Sequence, residues 1–116
     1  MILKQALMVG LGGALGALIR WRLGFLNGQE GFPTGTLIAN LTGCLVLGLA
    51  LGFLRPGSLV FLFLAAGVCG ALTTFSTFAF ELVDAKTLGA SAWYALVSLF
   101  GGLAAVVAGL RLARLF

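Results

Sequence analysis

The sequence has no histidine, only two cysteines and only three carboxylates among its 116 residues. Zinc, haem and iron–sulfur centres take most of their ligands from histidine and cysteine, so the usual ligand sets for these groups are excluded. A membrane enzyme such as a lipid hydrolase needs a general base, and the carboxylates available for that role are Glu30, Glu81 and Asp84. We therefore expect no catalytic residues and no enzyme activity.

Charge of either sign is also scarce. Charged residues make up 9% of the chain, whereas soluble domains carry about 25%, and the mean hydropathy is +1.18. Uncharged runs occupy 31–54, 56–80 and 87–110, and each is long enough to cross a hydrocarbon core of about 30 Å. A shorter run at 5–19 is continued by apolar residues beyond two arginines that can reach the headgroups. The spans are expected at about 3–26, 33–54, 58–82 and 87–110.

These lengths predict an all-α integral membrane protein in which residues 1–116 form one domain of four transmembrane helices. The first run could instead be a secretory signal peptide, but Arg20 and Trp21 do not follow a small-x-small cleavage site, so we expect a span. The net charge of +4 comes from residues that flank the spans. It predicts contact with the anionic headgroups of a lipid bilayer and no nucleic-acid partner.

The cations are divided almost evenly between the two sides of such a four-span chain. Both termini and the second connection share one side with four cations, and the other side has three. Because a difference of one gives the positive-inside rule little to act on, insertion in both orientations and assembly of an antiparallel homodimer are predicted. The four cations on the side of the termini are Lys4, Arg55, Arg111 and Arg114, and the three on the other side are Arg20, Arg22 and Lys86.

Eighteen glycines predict close packing of helices, since small residues let helix backbones approach each other in lipid. Gly12 and Gly16 are four residues apart, as are Gly48 and Gly52, so each pair lies on one helix face. These pairs could pack within one chain or between subunits. Four helices are few to enclose a polar pathway, so we expect some of the glycines to pack between subunits.

Polar residues deep in the second span share one stripe. Thr36, Asn40 and Gly43 lie at i, i+4 and i+7. The Asn40 amide carries two N–H donors, which suit either an anion or an interhelical hydrogen bond of about 1 kcal/mol. The spacing alone leaves both interpretations open.

The third span contains four hydroxyls within five positions, which is costly in lipid. Gly67 and Gly70 precede the β-branched pair Thr73 and Thr74, a combination that disfavours a continuous helix. A break at mid-membrane would free backbone groups that can bind ions where they line a cavity. The alternative is a continuous helix whose hydroxyls bond to carbonyls four residues earlier.

Aromatic and polar residues continue this pattern into the end of the third span and into the fourth. Phe75 and Phe78 face one way on a helix, and they could be ordinary packing residues or rings whose positive edges hold an anion. Glu81 follows near the membrane surface, as either a solvated or a functional carboxylate. The fourth span carries a polar stripe that includes Tyr94, although Trp93 and Tyr94 could alternatively be interfacial aromatics. That stripe is Ser91, Tyr94, Ser98 and Gly102.

Three motifs, in order on the first three spans, resemble the CrcB/Fluc family of fluoride channels. The resemblance covers essentially the whole chain. It implies a dual-topology antiparallel homodimer in the bacterial plasma or inner membrane, with two pores through which fluoride leaves the cytoplasm passively. The motifs are Gly12-Gly13-x-x-Gly16-Ala17-x-x-Arg20-Trp21, Gly35-Thr36-Leu37-x-x-Asn40-x-x-Gly43 and Gly70-x-x-Thr73-Thr74-Phe75-Ser76-Thr77-Phe78.

The resemblance also implies roles for individual residues. Asn40 would coordinate fluoride through its amide, and Phe75 and Phe78 would form an aromatic box around the ion. Gly70 and Thr73 would supply backbone carbonyls to a structural sodium ion at the dimer centre. The remaining pore residues implied by the family are Ser76, Thr77, Thr36, Glu81, Tyr94 and Ser98.

Two other classes are open. A small dual-topology, proton-coupled multidrug exporter matches the length and the charge balance, but it needs a carboxylate in the middle of the first span, and that span has none. A protein with a purely structural packing role would not account for Asn40 together with the hydroxyl run. The sequence therefore favours the fluoride channel.

Overall fold

The computed structural model describes residues 1–28 and 31–116, so the carboxylate Glu30 lies outside the described residues. The described chain is helical, and four helices are long and apolar enough to cross a membrane, which confirms the predicted class. They cover Ile2–Leu26, Thr34–Phe53, Leu59–Asp84 and Leu88–Arg114.

We name the helices in chain order. Helix α1 is Ile2–Leu23, and a 3-10 turn, Gly24–Leu26, continues it. Helix α2 is Thr34–Phe53, and the carbonyl of Pro33 directly before it accepts a hydrogen bond from the Leu37 N–H. Helix α5 is Leu88–Arg114.

The connections between helices are closed by local hydrogen bonds. The turn before the third span contains Gly57 at φ +86°, a conformation that favours glycine. The Ser58 hydroxyl then accepts a hydrogen bond from the Phe61 N–H, and the Thr87 hydroxyl accepts one from the Ala90 N–H. Both side chains are typical helix N-caps, so the starts of the third and fourth spans are encoded locally.

The third span is the irregular one. It begins with the consecutive segments Leu59–Phe61, Leu62–Cys69 and Gly70–Leu72, of which the middle one is π-helical, and we call the three together α3. The last helix of this span, α4, is Phe75–Asp84. Between them Thr73 (φ −81°, ψ 150°) and Thr74 (φ −146°, ψ 125°) have extended backbone.

Glycines determine how closely the helix backbones approach each other. A Cβ at Gly12 or Gly16 of α1 would overlap carbonyl oxygens of α3, those of Phe63 and Val68. Similarly, Gly48 of α2 lies against the backbone of α5. Both glycine pairs therefore pack within the chain, and the expectation that some glycines pack between subunits does not apply to them.

The four spans form a thin slab of 48 × 31 × 18 Å. The long dimension suits a bilayer with its headgroups, which together measure about 40–45 Å. The short dimension is less than two helix diameters of about 10–12 Å. Much of the outer surface is apolar, as expected for contact with lipid; examples are Leu7, Leu11, Leu18, Trp93 and Leu103.

Candidate functional site

The extended pair between α3 and α4 redirects two backbone N–H groups. In a continuous helix the Thr74 N–H would donate to the Gly70 carbonyl, but it donates instead to Asn40 Oδ1 at 2.8 Å. The Thr77 N–H would donate to the Thr73 carbonyl, but it donates instead to Thr74 Oγ1 at 3.2 Å. The carbonyls of Gly70 and Thr73 are thus released from the helical ladder.

The Asn40 amide of α2 holds this segment in place. Its Oδ1 accepts from the Thr74 N–H, and its Nδ2 donates to the Thr74 carbonyl at 3.3 Å. The interhelical hydrogen bond anticipated as one role for Asn40 is therefore present. Because Nδ2 carries two hydrogens, the second N–H remains available, and among the described residues it has no hydrogen-bond acceptor.

The hydroxyls of the third span have separate partners. Thr73 Oγ1 donates to the Cys69 carbonyl at 2.8 Å, four residues earlier, so the anticipated back-bonding to the helix occurs at this one position. Thr74 caps α4 and also lies 3.3 Å from Ser76 Oγ. The hydroxyl run is thus divided between ending one helix and starting the next.

Two cavities meet at Thr74. The first, which we call the outer cavity, measures about 350 Å³, and its lining includes one cation, Arg20, together with several polar groups. The second, which we call the inner cavity, measures about 310 Å³, and none of the described residues that line it is charged. Polar residues of the outer cavity are Asn27, Thr36, Thr74 and Thr77, and residues of the inner cavity include Asn40, Thr73, Thr74, Phe75, Phe78 and Ser98.

A cluster of buried polar groups lies between α2, α4 and α5. Among the described residues, both carboxylate oxygens of Glu81 and the hydroxyls of Tyr94 and Ser98 are buried without a hydrogen-bond partner. The Thr36 hydroxyl lies beside Glu81 and Tyr94. Unpaired buried polar atoms are costly to leave in place, so this cluster is a candidate for contact with a polar ligand.

These positions differ from two sequence expectations. Glu81 lies near the end of the third span as expected, but its carboxylate is buried and not solvated, because α4 packs on α5. Tyr94 is 2% exposed, so the interfacial interpretation is wrong for it, whereas its neighbour Trp93 is 62% exposed. Successive residues on a helix point in different directions, and only the packing decides which of the two is buried.

Aromatic rings connect the loop before α2 to the break. Tyr94 contacts Phe32 and Phe78 edge to face, with ring centroids 5.2 and 5.1 Å away. Phe78 then lies 6.1 Å from Phe75. Phe78 is buried whereas Phe75 is 80% exposed in the single chain.

The structure thus brings most of the predicted residues to one region, on either side of the break. Asn40, Phe75, Phe78 and Ser98 line the inner cavity, and Thr36 and Thr77 line the outer one. Ser76, Thr77 and Gly70 are exposed on the surface of the chain. Their roles toward ions stay predictions.

Sequence reasoning missed Asn27, Phe32 and the pivotal position of Thr74. Asn27 lies in a loop, where an asparagine is ordinary, and its contacts are made eight and nine residues later in α2. Phe32 stands before Pro33 with no periodic pattern around it. The N-cap signal could have been found for Thr74, because a threonine that precedes a helix by one residue is a common cap.

Comparison with known proteins agrees with the resemblance seen in the sequence. Residues 7–110 match the family described as "CrcB-like protein, Camphor Resistance (CrcB)". A relative named fluoride-specific ion channel FluC 1, from Staphylococcus aureus (strain NCTC 8325 / PS 47), is 41% identical, with 93% of this chain and 95% of the relative covered. The protein named fluoride-specific ion channel FluC from Bordetella avium (strain 197N) is 46% identical, with 94% and 92% covered. With four apolar helices and this match over most of its length, the chain is a multi-pass bacterial membrane protein that belongs to the CrcB-like family.

Proposed function

We propose that this protein is a fluoride channel through which fluoride leaves the cytoplasm passively, which relieves fluoride toxicity. The observation that carries the proposal is the break at Thr73 and Thr74, where the Asn40 amide adjoins an uncharged cavity inside a membrane span. Relatives 41% to 46% identical are named fluoride-specific ion channels, which supports the same function here.

Permeation of fluoride requires donors that replace its water without trapping it. Fluoride is small and strongly hydrated, and a site that binds it through one full positive charge would release it slowly. The inner cavity offers the second N–H of Asn40 and the Ser98 hydroxyl, and its described lining residues include no lysine or arginine. Arg20 lines the outer cavity and not the inner one, and it raises the local concentration of anions there.

The ring of Phe75 is proposed to hold fluoride by its positive edge. We expect Phe75→Ile to lower fluoride efflux at least about tenfold, because it keeps an apolar side chain but removes the aromatic quadrupole. Efflux from liposomes measures this effect. Phe80→Ile is the matched control, since Phe80 is also exposed on α4 but lines neither described cavity. Equal efflux from the two variants would remove Phe75 from the pore.

The Tyr94 hydroxyl is proposed to contact the permeating ion. Tyr94→Phe removes a buried hydroxyl that has no partner among the described residues, so the free energy of unfolding should stay unchanged or rise by about 1 kcal/mol. Fluoride efflux should fall in the same variant. A variant that is destabilised yet conducts normally would show that the hydroxyl has a structural role only.

We further propose that two copies assemble in antiparallel orientation. The slab is too thin to enclose a pathway, and Phe75, Ser76 and Thr77 are exposed although they lie in a membrane span. A second copy would cover these hydroxyls, which lipid cannot satisfy. A terminal tag reached from only one side of the membrane in cells would contradict the dual topology.

A structural sodium ion fits the break. Carbonyl oxygens are suitable ligands for hard cations, and the carbonyls of Gly70 and Thr73 are released because Thr74 and Thr77 donate elsewhere. Two copies would supply four such carbonyls, and the ion would add positive charge near the pore. Equal fluoride efflux and equal dimer stability with and without sodium would contradict this assignment.

The multidrug exporter is not favoured. The first helix carries no carboxylate, and Glu81 lies at the end of the third span beside Thr36 and Tyr94. The proposed function itself is tested by expression in bacteria that lack their own fluoride exporter. We expect growth in fluoride to be restored, and failure of the expressed, membrane-inserted protein to restore growth would contradict fluoride export.

A further inference from the structure

Asn27, which lies just after the first span, is bonded to the start of α2 through its whole amide group. Its Oδ1 accepts from the Gly35 N–H at 2.7 Å and from the Thr36 N–H at 3.2 Å. Its Nδ2 donates to Thr36 Oγ1 at 3.1 Å. Because two N–H donors face Oδ1, the orientation of the amide is unambiguous.

This arrangement determines what the Thr36 hydroxyl can do. The oxygen already accepts from Asn27, and Asn27 Oδ1 is used by two N–H groups, so the hydroxyl hydrogen is directed away from Asn27. The Glu81 carboxylate and the Tyr94 hydroxyl lie on this other side, and neither is bonded to another described residue. Thr36 is 5% exposed, lines the outer cavity and lies beside the unpaired carboxylate of Glu81.

We infer that Asn27 is a positioning residue that sets the donor direction of the Thr36 hydroxyl toward the Glu81 and Tyr94 side. The hydrogen of the Thr36 hydroxyl can point either toward Glu81 and Tyr94 or toward Asn27. Because Asn27 Nδ2 donates to Thr36 Oγ1, the hydrogen points toward Glu81 and Tyr94. The inference rests on the proposed function for its effect on transport. The contact itself is independent of whether fluoride is the ion.

Asn27→Asp tests this role while it preserves the helix cap. A carboxylate accepts the Gly35 and Thr36 N–H groups as the amide does, but it cannot donate to Thr36 Oγ1, so the Thr36 hydroxyl must donate to Asp in the variant. The direction of one hydrogen bond is reversed and the fold is retained. We expect fluoride efflux from liposomes to fall about tenfold.

Two further variants separate this effect from the new negative charge and from general loosening of the loop. In a Thr36→Val background, Asn27→Asp should cause no further loss of fluoride efflux, because the hydroxyl whose hydrogen bond it would reverse is absent. Thr34→Val removes an exposed hydroxyl at the same helix start, which donates to the Phe32 carbonyl at 3.2 Å, and should leave efflux at the wild-type rate. An equal loss in both backgrounds, or wild-type efflux in Asn27→Asp, would overturn the inference.

The direction of the hydrogen bond is also measured without transport. The NMR signal of one Asn27 side-chain amide proton should move upfield in Thr36→Val, since the oxygen to which Nδ2 donates would then be absent. An unchanged signal would overturn the inference even if no variant conducts. Absence of fluoride efflux in the wild-type protein, with the expected NMR shift present, would instead contradict the proposed function and leave the role of Asn27 established.

Discussion

Asn40→Asp is expected to abolish fluoride efflux, with a loss of about a hundredfold or more. The substitution replaces the amide N–H groups by a carboxylate oxygen, so the ion loses its donor and meets a negative charge in an uncharged cavity. The same oxygen would face the Thr74 carbonyl, to which Nδ2 now donates at 3.3 Å. The loss should be measured as fluoride efflux from liposomes at equal protein content.

The matched control is Thr42→Val, two residues along α2 on its exposed side. Efflux should be unchanged in that variant. Asn40→Asp keeps Oδ1 as the acceptor for the Thr74 N–H, so the variant is expected to fold and to run at the same oligomeric size as the wild type. Normal efflux in Asn40→Asp would remove this side chain from the pathway, and a variant that fails to fold would show that Asn40 is mainly a structural clamp.

Gly16→Ala should destabilise the protein by about 2 kcal/mol or more. A Cβ there would overlap the Val68 carbonyl oxygen and lie 3.0 Å from the Leu72 nitrogen, and both atoms belong to the backbone of α3. Backbone held in a helix cannot move aside as the end of a flexible side chain can, so α1 would have to separate from α3. Titration with a denaturing detergent, followed by circular dichroism, measures the change.

Gly13→Ala provides the comparison on the same helix. A Cβ at Gly13 has no heavy atom within 4 Å, and alanine favours a helix over glycine by up to about 1 kcal/mol. This variant should therefore be as stable as the wild type or more stable. If both variants are equally stable, α1 does not approach α3 as closely as the structure places it.

Features that depend on the local composition of the chain could be predicted from the sequence. Runs without charge predict the four spans, since removal of a charge from water is costly wherever it occurs. The hydroxyl run and its glycines directed attention to Thr73 and Thr74, because weak helix propensity and polar side chains are local properties. Asn40 stood out for the same reason, since an amide in lipid requires a partner.

Features that depend on the packing of distant segments could not be read in this way. The contact of Asn27 with Thr36 joins a loop to a helix start, and no periodicity indicates it. The inward turn of Glu81 follows from where α4 rests on α5. The glycine pairs carry the same spacing whether they face a helix of the same chain or of a second copy, so only the folded chain shows that Gly12, Gly16 and Gly48 pack internally.

Fluoride efflux from liposomes that contain the purified protein, with chloride efflux measured under the same gradient, tests the central claim most directly. The uncharged cavity beside Asn40 and the breadth of the match to fluoride channels lead us to expect rapid loss of fluoride and retention of chloride. No fluoride efflux above that of protein-free liposomes, or equal rates for the two anions, would contradict the account.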